Sequence, residues 1–237
     1  MTAVLDKHSF RQHCSNCSMA SLCFPVGLSD EDITKIDELV GRQKVLHKND
    51  CLFDRGDKFK EIYAIRSGTF KLCAPGNNDI EVIEGFYLAG ELIGFNAIAS
   101  EIYPATAIAL ETSSVCVIPF DDLFTLAGQL PALRRQLVNL MSEKLQPEFK
   151  VSFNSGAEER IATFLLSISS RLQKRGYAVE TFHLSMSRQD IGTYLGLATE
   201  TVSRILTKLQ DKDIIDVQRR EIKINDFRQL QIMSCAN

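Results

Sequence analysis

Three cysteines fall within ten residues of the segment HCSNCSMASLC: Cys14, Cys17 and Cys23. This C-x2-C-x5-C spacing lets one short loop turn three thiolates toward a common centre. Thiolates hold iron–sulfur clusters, usually four at a time. Zinc accepts the same ligands, closed by a fourth thiolate or by an imidazole. The fourth ligand must come from elsewhere in the chain. His13 is adjacent, and Cys51, Cys73 and Cys116 are the other choices. With Cys235 the chain has seven cysteines, an odd number, and its first residues, MTAVLDKHSFRQHC, carry no apolar signal core. A cytoplasmic, reducing location is therefore expected, and a metal or cluster rather than a disulfide framework.

A second set of residues suits nucleic acid. SRQDIGTYLGLATETVSRILTKL, from Ser187 to Leu209, reads as two short helices around a tight turn. Ser187 and Asp190 have capping-box spacing, Gly196 interrupts the first helix, and Thr199 is placed to cap the second. In the second helix Val202, Ile205, Leu206 and Leu209 recur at i, i+3, i+4 and i+7, a stripe for packing. The other face carries Glu200, Ser203, Arg204, Thr207 and Lys208. Arg pairs in bidentate fashion with guanine, Glu accepts from the amino group of cytosine, and Ser bonds several base edges. A recognition helix uses its N-terminal residues on bases, which selects Glu200, Ser203 and Arg204. Thr199 and Arg188, at the starts of the two helices, complete the expected DNA contacts. An ordinary solvated helix pair would share much of this pattern.

Nothing else converges on a reaction. The chain has no H-E-x-x-H, no G-x-x-x-x-G-K and no G-x-S-x-G, and His8, His13, His47 and His183 are scattered. An enzyme is not expected.

The elements that must position these residues follow from periodicity. The length of 237 residues suits two domains, and no apolar run is long enough to span a membrane. Residues 29–44 read as a helix with acidic residues in its first turn. Between 45 and 120 the texture changes to short strands (VLHKNDCLF, EIYAIRSGTFKLCA, DIEVIEGFYL, ELIGFNAI, PATAIALE, SSVCVIPF), with breaks at Gly56-Asp57, Ser67-Gly68, Pro75-Gly76 and Ala89-Gly90. Many short strands at regular spacing predict a β-sandwich or jelly roll.

DDLFTLAGQLPALRRQLVNLMSEKL returns to helical periodicity, with Leu133, Leu137, Leu140, Met141 and Leu145 as its stripe. Such a helix between a β-domain and a DNA-binding domain is a natural dimer seam. Packing of the stripe on its own barrel is the competing reading. Pro147 predicts a kink or break. AEERIATFLLSISSRLQKRG predicts another helix closing at Gly176. IIDVQRREIKI predicts a hairpin turning at Arg219-Arg220, the wing of a winged helix-turn-helix, whose arginines either touch phosphate or are solvated. The net charge of −3 is unevenly spread: residues 156–237 hold 12 Lys/Arg against 10 Asp/Glu, and the remainder 15 against 20. A mildly basic C-terminal part behind an acidic N-terminal part is compatible with DNA binding.

Taken in order, CSNCSMASLC, YAIRSGTFK, LAGELIGF, ALETSSVCVIPF, LRRQLVNLMS, AEERIATFL and above all MSRQDIGTYLGLATETVSRIL resemble the fumarate-nitrate reduction (FNR) regulators of the cAMP-receptor-protein/FNR transcription-factor family, over nearly the full length. The resemblance implies an α+β fold: a cyclic-nucleotide-binding-like β jelly roll, a connecting dimerisation helix and a C-terminal winged helix-turn-helix. It divides the chain into a cysteine-rich cluster-binding segment at 1–28, a sensor β-roll at 29–130, the dimerisation helix at 131–155 and the DNA-binding domain at 156–237. It implies that Cys14, Cys17 and Cys23, with Cys116 from ALETSSVC, ligate an oxygen-labile 4Fe–4S cluster. The cluster-loaded form would be a homodimer on double-stranded DNA of the type TTGAT-N4-ATCAA, with RNA polymerase as a further partner. Loss of the cluster would favour a monomer. Glu148 falls where the family carries an acidic residue in the dimer helix, beside the seam of Leu133, Leu137, Leu140, Met141 and Leu145.

The same resemblance argues against cAMP. Cyclic-nucleotide binders of this fold hold the phosphate with Arg followed by Ser or Thr after the G-E-L element. Here Gly90-Glu91-Leu92 is present, but the matching place reads Pro104-Ala105. A phosphate left without its charged partner loses roughly 2–5 kcal/mol. Between LMS and AEER the chain is about three residues shorter than the family pattern, close to one helical turn of about 3.6 residues. A regulator of the same fold that answers another small effector, with structural or zinc-binding cysteines, is the alternative function.

Overall fold

The computed structural model describes Cys14, Cys17, Cys23 and residues 28–40, 43–76, 81–145 and 155–234. Its first long element is α1 (Asp30–Leu39), capped by Ser29, whose Oγ accepts from the Asp32 amide at 3.2 Å. Asp30, Glu31 and Asp32 lie at the positive end of the helix dipole. The helix is shorter than the 29–44 read from the sequence. Val40 already has extended backbone (φ −64°, ψ 104°), and a strand begins at Gln43.

Eight strands follow: β1 (Gln43–Leu46), β2 (Cys51–Phe53), β3 (Glu61–Ser67), β4 (Thr69–Pro75), β5 (Glu81–Leu88), β6 (Leu92–Ile93), β7 (Thr106–Ala109) and β8 (Ser113–Pro119). They form two four-stranded antiparallel sheets, in the orders β1-β8-β3-β6 and β2-β7-β4-β5. This is the jelly roll that the strand spacing predicts. Phe53, Tyr63, Ile65, Phe70, Leu72 and Tyr103 are buried within it, and Phe53 stacks on Tyr103 with ring centroids 3.9 Å apart. The Ser67-Gly68 turn joins β3 of one sheet to β4 of the other and lies against Ser113 at the start of β8. Gly68 has φ +85°, and a Cβ there would stand 2.1 Å from Ser113 Oγ, so only glycine fits.

Two helices lie against the roll, α2 (Phe120–Gln129) and α3 (Pro131–Leu145). The chain leaves helical geometry at Leu130 (φ −114°, ψ 98°). Pro131, which has no amide hydrogen, occupies the first position of α3, where that loss costs nothing. Residues 146–154, including Pro147 and Glu148, lie outside the described residues.

The C-terminal part comprises α4 (Ala157–Gln173), β9 (Thr181–His183), α5 (Arg188–Leu195), α6 (Thr199–Asp211), β10 (Ile215–Gln218), β11 (Glu221–Ile224) and α7 (Phe227–Ser234). α4 ends near the expected Gly176, whose φ of +73° closes the turn. The expected hairpin is β10–β11, and β9 adds a third strand beside β11. Neither β9 nor α7 was anticipated. β9 has three residues, too few for a periodic signal, and α7 starts from Asp226, whose carboxylate accepts from the Gln229 amide at 2.9 Å. The core of this part is continuous with the roll: Ile83, Phe86 and Leu88 share one cluster with Phe164, Leu165 and Ile168. Among the described residues no helix is long and apolar enough to cross a membrane.

Candidate nucleic-acid interface and metal centre

α5 begins with the expected capping box. Ser187 Oγ accepts from the Asp190 amide at 3.0 Å, and Asp190 Oδ2 accepts from the Ser187 amide at 3.0 Å and from its hydroxyl at 2.6 Å. Gly196 ends the helix in left-handed geometry (φ +64°). Gly192, which the sequence reading passed over, is equally necessary. A Cβ there would stand 2.6 Å from the Leu197 carbonyl oxygen, because the turn folds directly over it. Its signal was the four-residue spacing to Gly196.

α6 starts one residue earlier than expected. Ala198 is the residue before the helix and offers no side-chain cap, so Thr199 is the first helical residue rather than the cap. Val202, Ile205, Leu206 and Leu209 are buried. Glu200, Ser203, Arg204 and Lys208 are exposed on the other side. The Ser203 hydroxyl donates to the Thr199 carbonyl at 3.1 Å and keeps its lone pairs for a donor. Lys208 is paired with Glu158 at the start of α4. Arg160 of α4 donates to the Leu195 carbonyl at 2.7 Å, tying α4 to the end of α5. Arg188, the first residue of α5, is half-buried, and burial lowers its guanidinium from the ordinary value. In the wing, Gln218 faces Glu221 across a two-residue turn, and Arg219 supplies the positive φ (+58°) that a tight hairpin needs. Arg220 donates to the Ser185 carbonyl at 3.2 Å, so part of its fork is used within the domain.

Among the described residues the cysteines separate into three environments. Cys51 is exposed, with its Sγ 3.5 Å from Asp54 Oδ1. Cys73 is buried in the core shared by the roll and the C-terminal part. Cys14, Cys23 and Cys116 pack on one apolar cluster built from Ile36, Leu123, Leu133 and Leu137. The Cys14 amide donates to Asp37 Oδ1 at 2.5 Å. Burial, the Asp37 carboxylate and the neighbouring Cys23 and Cys116 push the Cys14 thiol up to about 12. Cys116 is raised by burial first and then by Cys17, while Arg66 opposes the shift. The structure thus brings Cys116, of the possible fourth ligands, into the company of Cys14, Cys17 and Cys23. His13 lies outside the described residues. Among the described residues no three His, Cys, Asp or Glu side chains already stand in ligating geometry. Four soft thiol donors beside an apolar wall suit a cluster or zinc in kind.

The helical stripe expected as a dimer seam is divided. Leu133 and Leu137 are taken into the chain's own core, and Leu140 packs partly against it. Met141 is exposed, and Val138, which the stripe did not include, is more so. The Leu145 side chain and Glu148 lie outside the described residues. An amphipathic helix with one broad apolar face can serve its own barrel with one edge and a second copy with the other.

Comparison with known proteins agrees with this layout. Residues 159–233 match the Crp-like helix-turn-helix domain and residues 43–129 the cyclic nucleotide-binding domain. The chain is 45% identical over 221 residues to the transcriptional activator protein Anr of Pseudomonas protegens, covering 92% of this chain and 91% of that one. It is 42% identical over 217 residues to the fumarate and nitrate reduction regulatory protein of Yersinia pestis, covering 90% and 87%. The structure of FixK2 from Bradyrhizobium japonicum superposes with a TM-score of 0.74 at 26% identity, covering 84% of this chain and all of that one. The chain is therefore a DNA-binding transcription regulator rather than an enzyme, and it belongs to the FNR-type regulators of the cAMP-receptor-protein/FNR family.

Proposed function

We propose that this regulator responds to oxygen through a 4Fe–4S cluster held by Cys14, Cys17, Cys23 and Cys116, and binds a palindrome of the type TTGAT-N4-ATCAA as a homodimer. The observation that carries the reading is the packing of Cys14, Cys23 and Cys116 against the same apolar cluster that takes in Leu133 and Leu137 of α3. When bound, the cluster supplies a thiolate-iron centre that oxygen can destroy. The chain's own residues do the rest. The four thiols tie the N-terminal segment to β8, and the shared core carries any loosening there to α3. Val138 and Met141 on the outer edge of α3 meet a second copy. Glu200, Ser203 and Arg204 read base edges, while Thr199 and Arg188 fix the helix pair on the backbone. An activator of transcription further implies RNA polymerase as a partner. Pro104-Ala105 offers no cation to a cyclic phosphate, and the stacked Phe53 and Tyr103 occupy the roll interior beside Ala105. Both support a regulator that does not use cAMP.

Cys14→Ser and Cys116→Ser, purified without oxygen, test the reading. Iron content and the effect of air on palindrome binding are expected to disappear in both, with the melting temperature of the metal-free protein little changed. Persistence of the air response in either variant contradicts the ligand set and favours a different effector.

A further inference from the structure

Glu91 lies in the Gly90-Glu91-Leu92 turn between β5 and β6 and is only 6% exposed. A carboxylate taken out of water must be paired and hydrogen-bonded. Glu91 draws partners from both halves of the chain. Within the roll, its Oε2 accepts from the Leu88 amide at 3.0 Å. From the C-terminal end of α4, Arg171 donates through Nε to Oε1 at 2.9 Å and through Nη2 to Oε2 at 2.6 Å. Arg175 Nη2 donates to Oε1 at 3.0 Å. Arg171 Nη2 also reaches the Phe86 carbonyl at 2.6 Å. Burial lowers Arg175, while Arg171 is lifted against its own burial by Glu91.

The surroundings are a domain junction. Phe86 of the roll meets Phe164 of α4 and Tyr194 of α5 at ring-centroid distances of 6.0 and 5.2 Å. Such apolar contact holds two bodies together without fixing their angle. The two-pronged guanidinium is directional and fixes it. Other links span the junction: Lys71 of β4 donates to Asp190 of α5 at 2.9 Å, the Ser185 hydroxyl donates to Glu111 Oε1 at 2.6 Å, and the Thr69 hydroxyl lies 3.3 Å from Ser185 Oγ. Glu91 is the most buried of the three carboxylate anchors and the one that takes two guanidiniums.

We infer that Glu91, clamped by Arg171 and Arg175, is a positioning residue for DNA recognition. It sets the angle of the helix-turn-helix on the roll, so that the two α6 helices of a dimer meet half-sites one helical turn apart. The inference rests on the dimeric, palindrome-binding reading above. The clamp is built from the Leu88 amide, Arg171 and Arg175, and the bases are read from α6, so loss of the clamp leaves contact with one half-site intact. Binding of the second half-site loses its preset spacing and becomes less probable once the first is engaged.

The test uses full-length, cluster-loaded protein prepared without oxygen and two duplexes, one carrying TTGAT-N4-ATCAA and one carrying a single half-site. Glu91→Gln is expected to bind the palindrome about ten-fold more weakly and the single half-site within about two-fold of wild type, the pattern of lost effective concentration. Hydrogen exchange should quicken together across residues 81–91 and 171–175 and stay unchanged in α6. Because Glu91→Gln leaves two buried guanidiniums, the triple variant Glu91→Gln/Arg171→Met/Arg175→Met removes all three charges and preserves the packing. It should regain melting temperature yet still bind the palindrome weakly. Full recovery of palindrome binding in the triple variant, equal weakening on both duplexes, or tighter palindrome binding by Glu91→Gln each overturns the inference. A wild type that binds both duplexes equally contradicts the dimer reading, is seen without any variant, and removes the spacing role with it.

Discussion

Arg204 and Asp190 show how much a single side chain decides. Arg204 stands exposed on the second turn of α6. If it reads guanine, Arg204→Ala costs about 1–3 kcal/mol of discrimination at one base pair and little elsewhere. Competition binding against duplexes changed one pair at a time measures this, and uniform weakening would make it a phosphate contact. Asp190 works inside the protein. Burial opposes its ionisation, but hydrogen bonds from Ser187 and Lys71 hold the carboxyl below its ordinary 3.8. A group lowered on folding contributes stability above its unfolded value and loses it as pH falls through the folded one. Metal-free wild type should therefore lose more melting temperature than Asp190→Asn between about pH 5 and pH 3. Parallel acid limbs for the two proteins would contradict it. The exposure of Arg204 was legible in the sequence, because the apolar stripe of α6 fixes which face is polar. The Lys71–Asp190 pair was not, since its members are 119 positions apart.

At the scale of elements, local signals were legible and partnerships were not. The capping box and the stripe of Val202, Ile205, Leu206 and Leu209 lie within one helix pair, and both are present as read. The cap of α6 was misplaced by one residue, because Ala198 rather than Thr199 takes the extended backbone. The stripe of α3 was read as a seam, but periodicity cannot say which surface an apolar face meets. Leu137 is buried in the roll's own core, and Val138 is exposed beside it. Leu137→Ala should lower stability by about 2–5 kcal/mol, seen in denaturant unfolding. Val138→Glu should leave unfolding within about 0.5 kcal/mol of wild type while shifting sedimentation toward the monomer. A Val138→Glu protein that stays dimeric would place the seam elsewhere.

At the scale of the whole molecule, two separate cores hold the cysteines with α3 and the helix-turn-helix with the roll. One holds Cys14, Cys23 and Cys116 with Leu133 and Leu137; the other binds β5 to α4 and α5. The three cysteines of the N-terminal segment were visible in the sequence as a ligand pattern. Their company with Cys116, 93 residues beyond Cys23, entered through family resemblance, because spacing alone left Cys51 and Cys73 as open choices. The junction centred on Glu91 had no sequence signal, since Arg171 of α4 and Arg175 in the turn after it stand 80 and 84 residues away. The measurement that tests the central claim most directly is the visible absorption spectrum of protein purified without oxygen, with iron, sulfide and zinc content, repeated after air is admitted. A thiolate-to-iron charge-transfer band that bleaches in air, with matching iron and sulfide and parallel loss of palindrome binding, is the predicted result. A colourless protein, with or without zinc, that binds the palindrome equally well before and after air contradicts it.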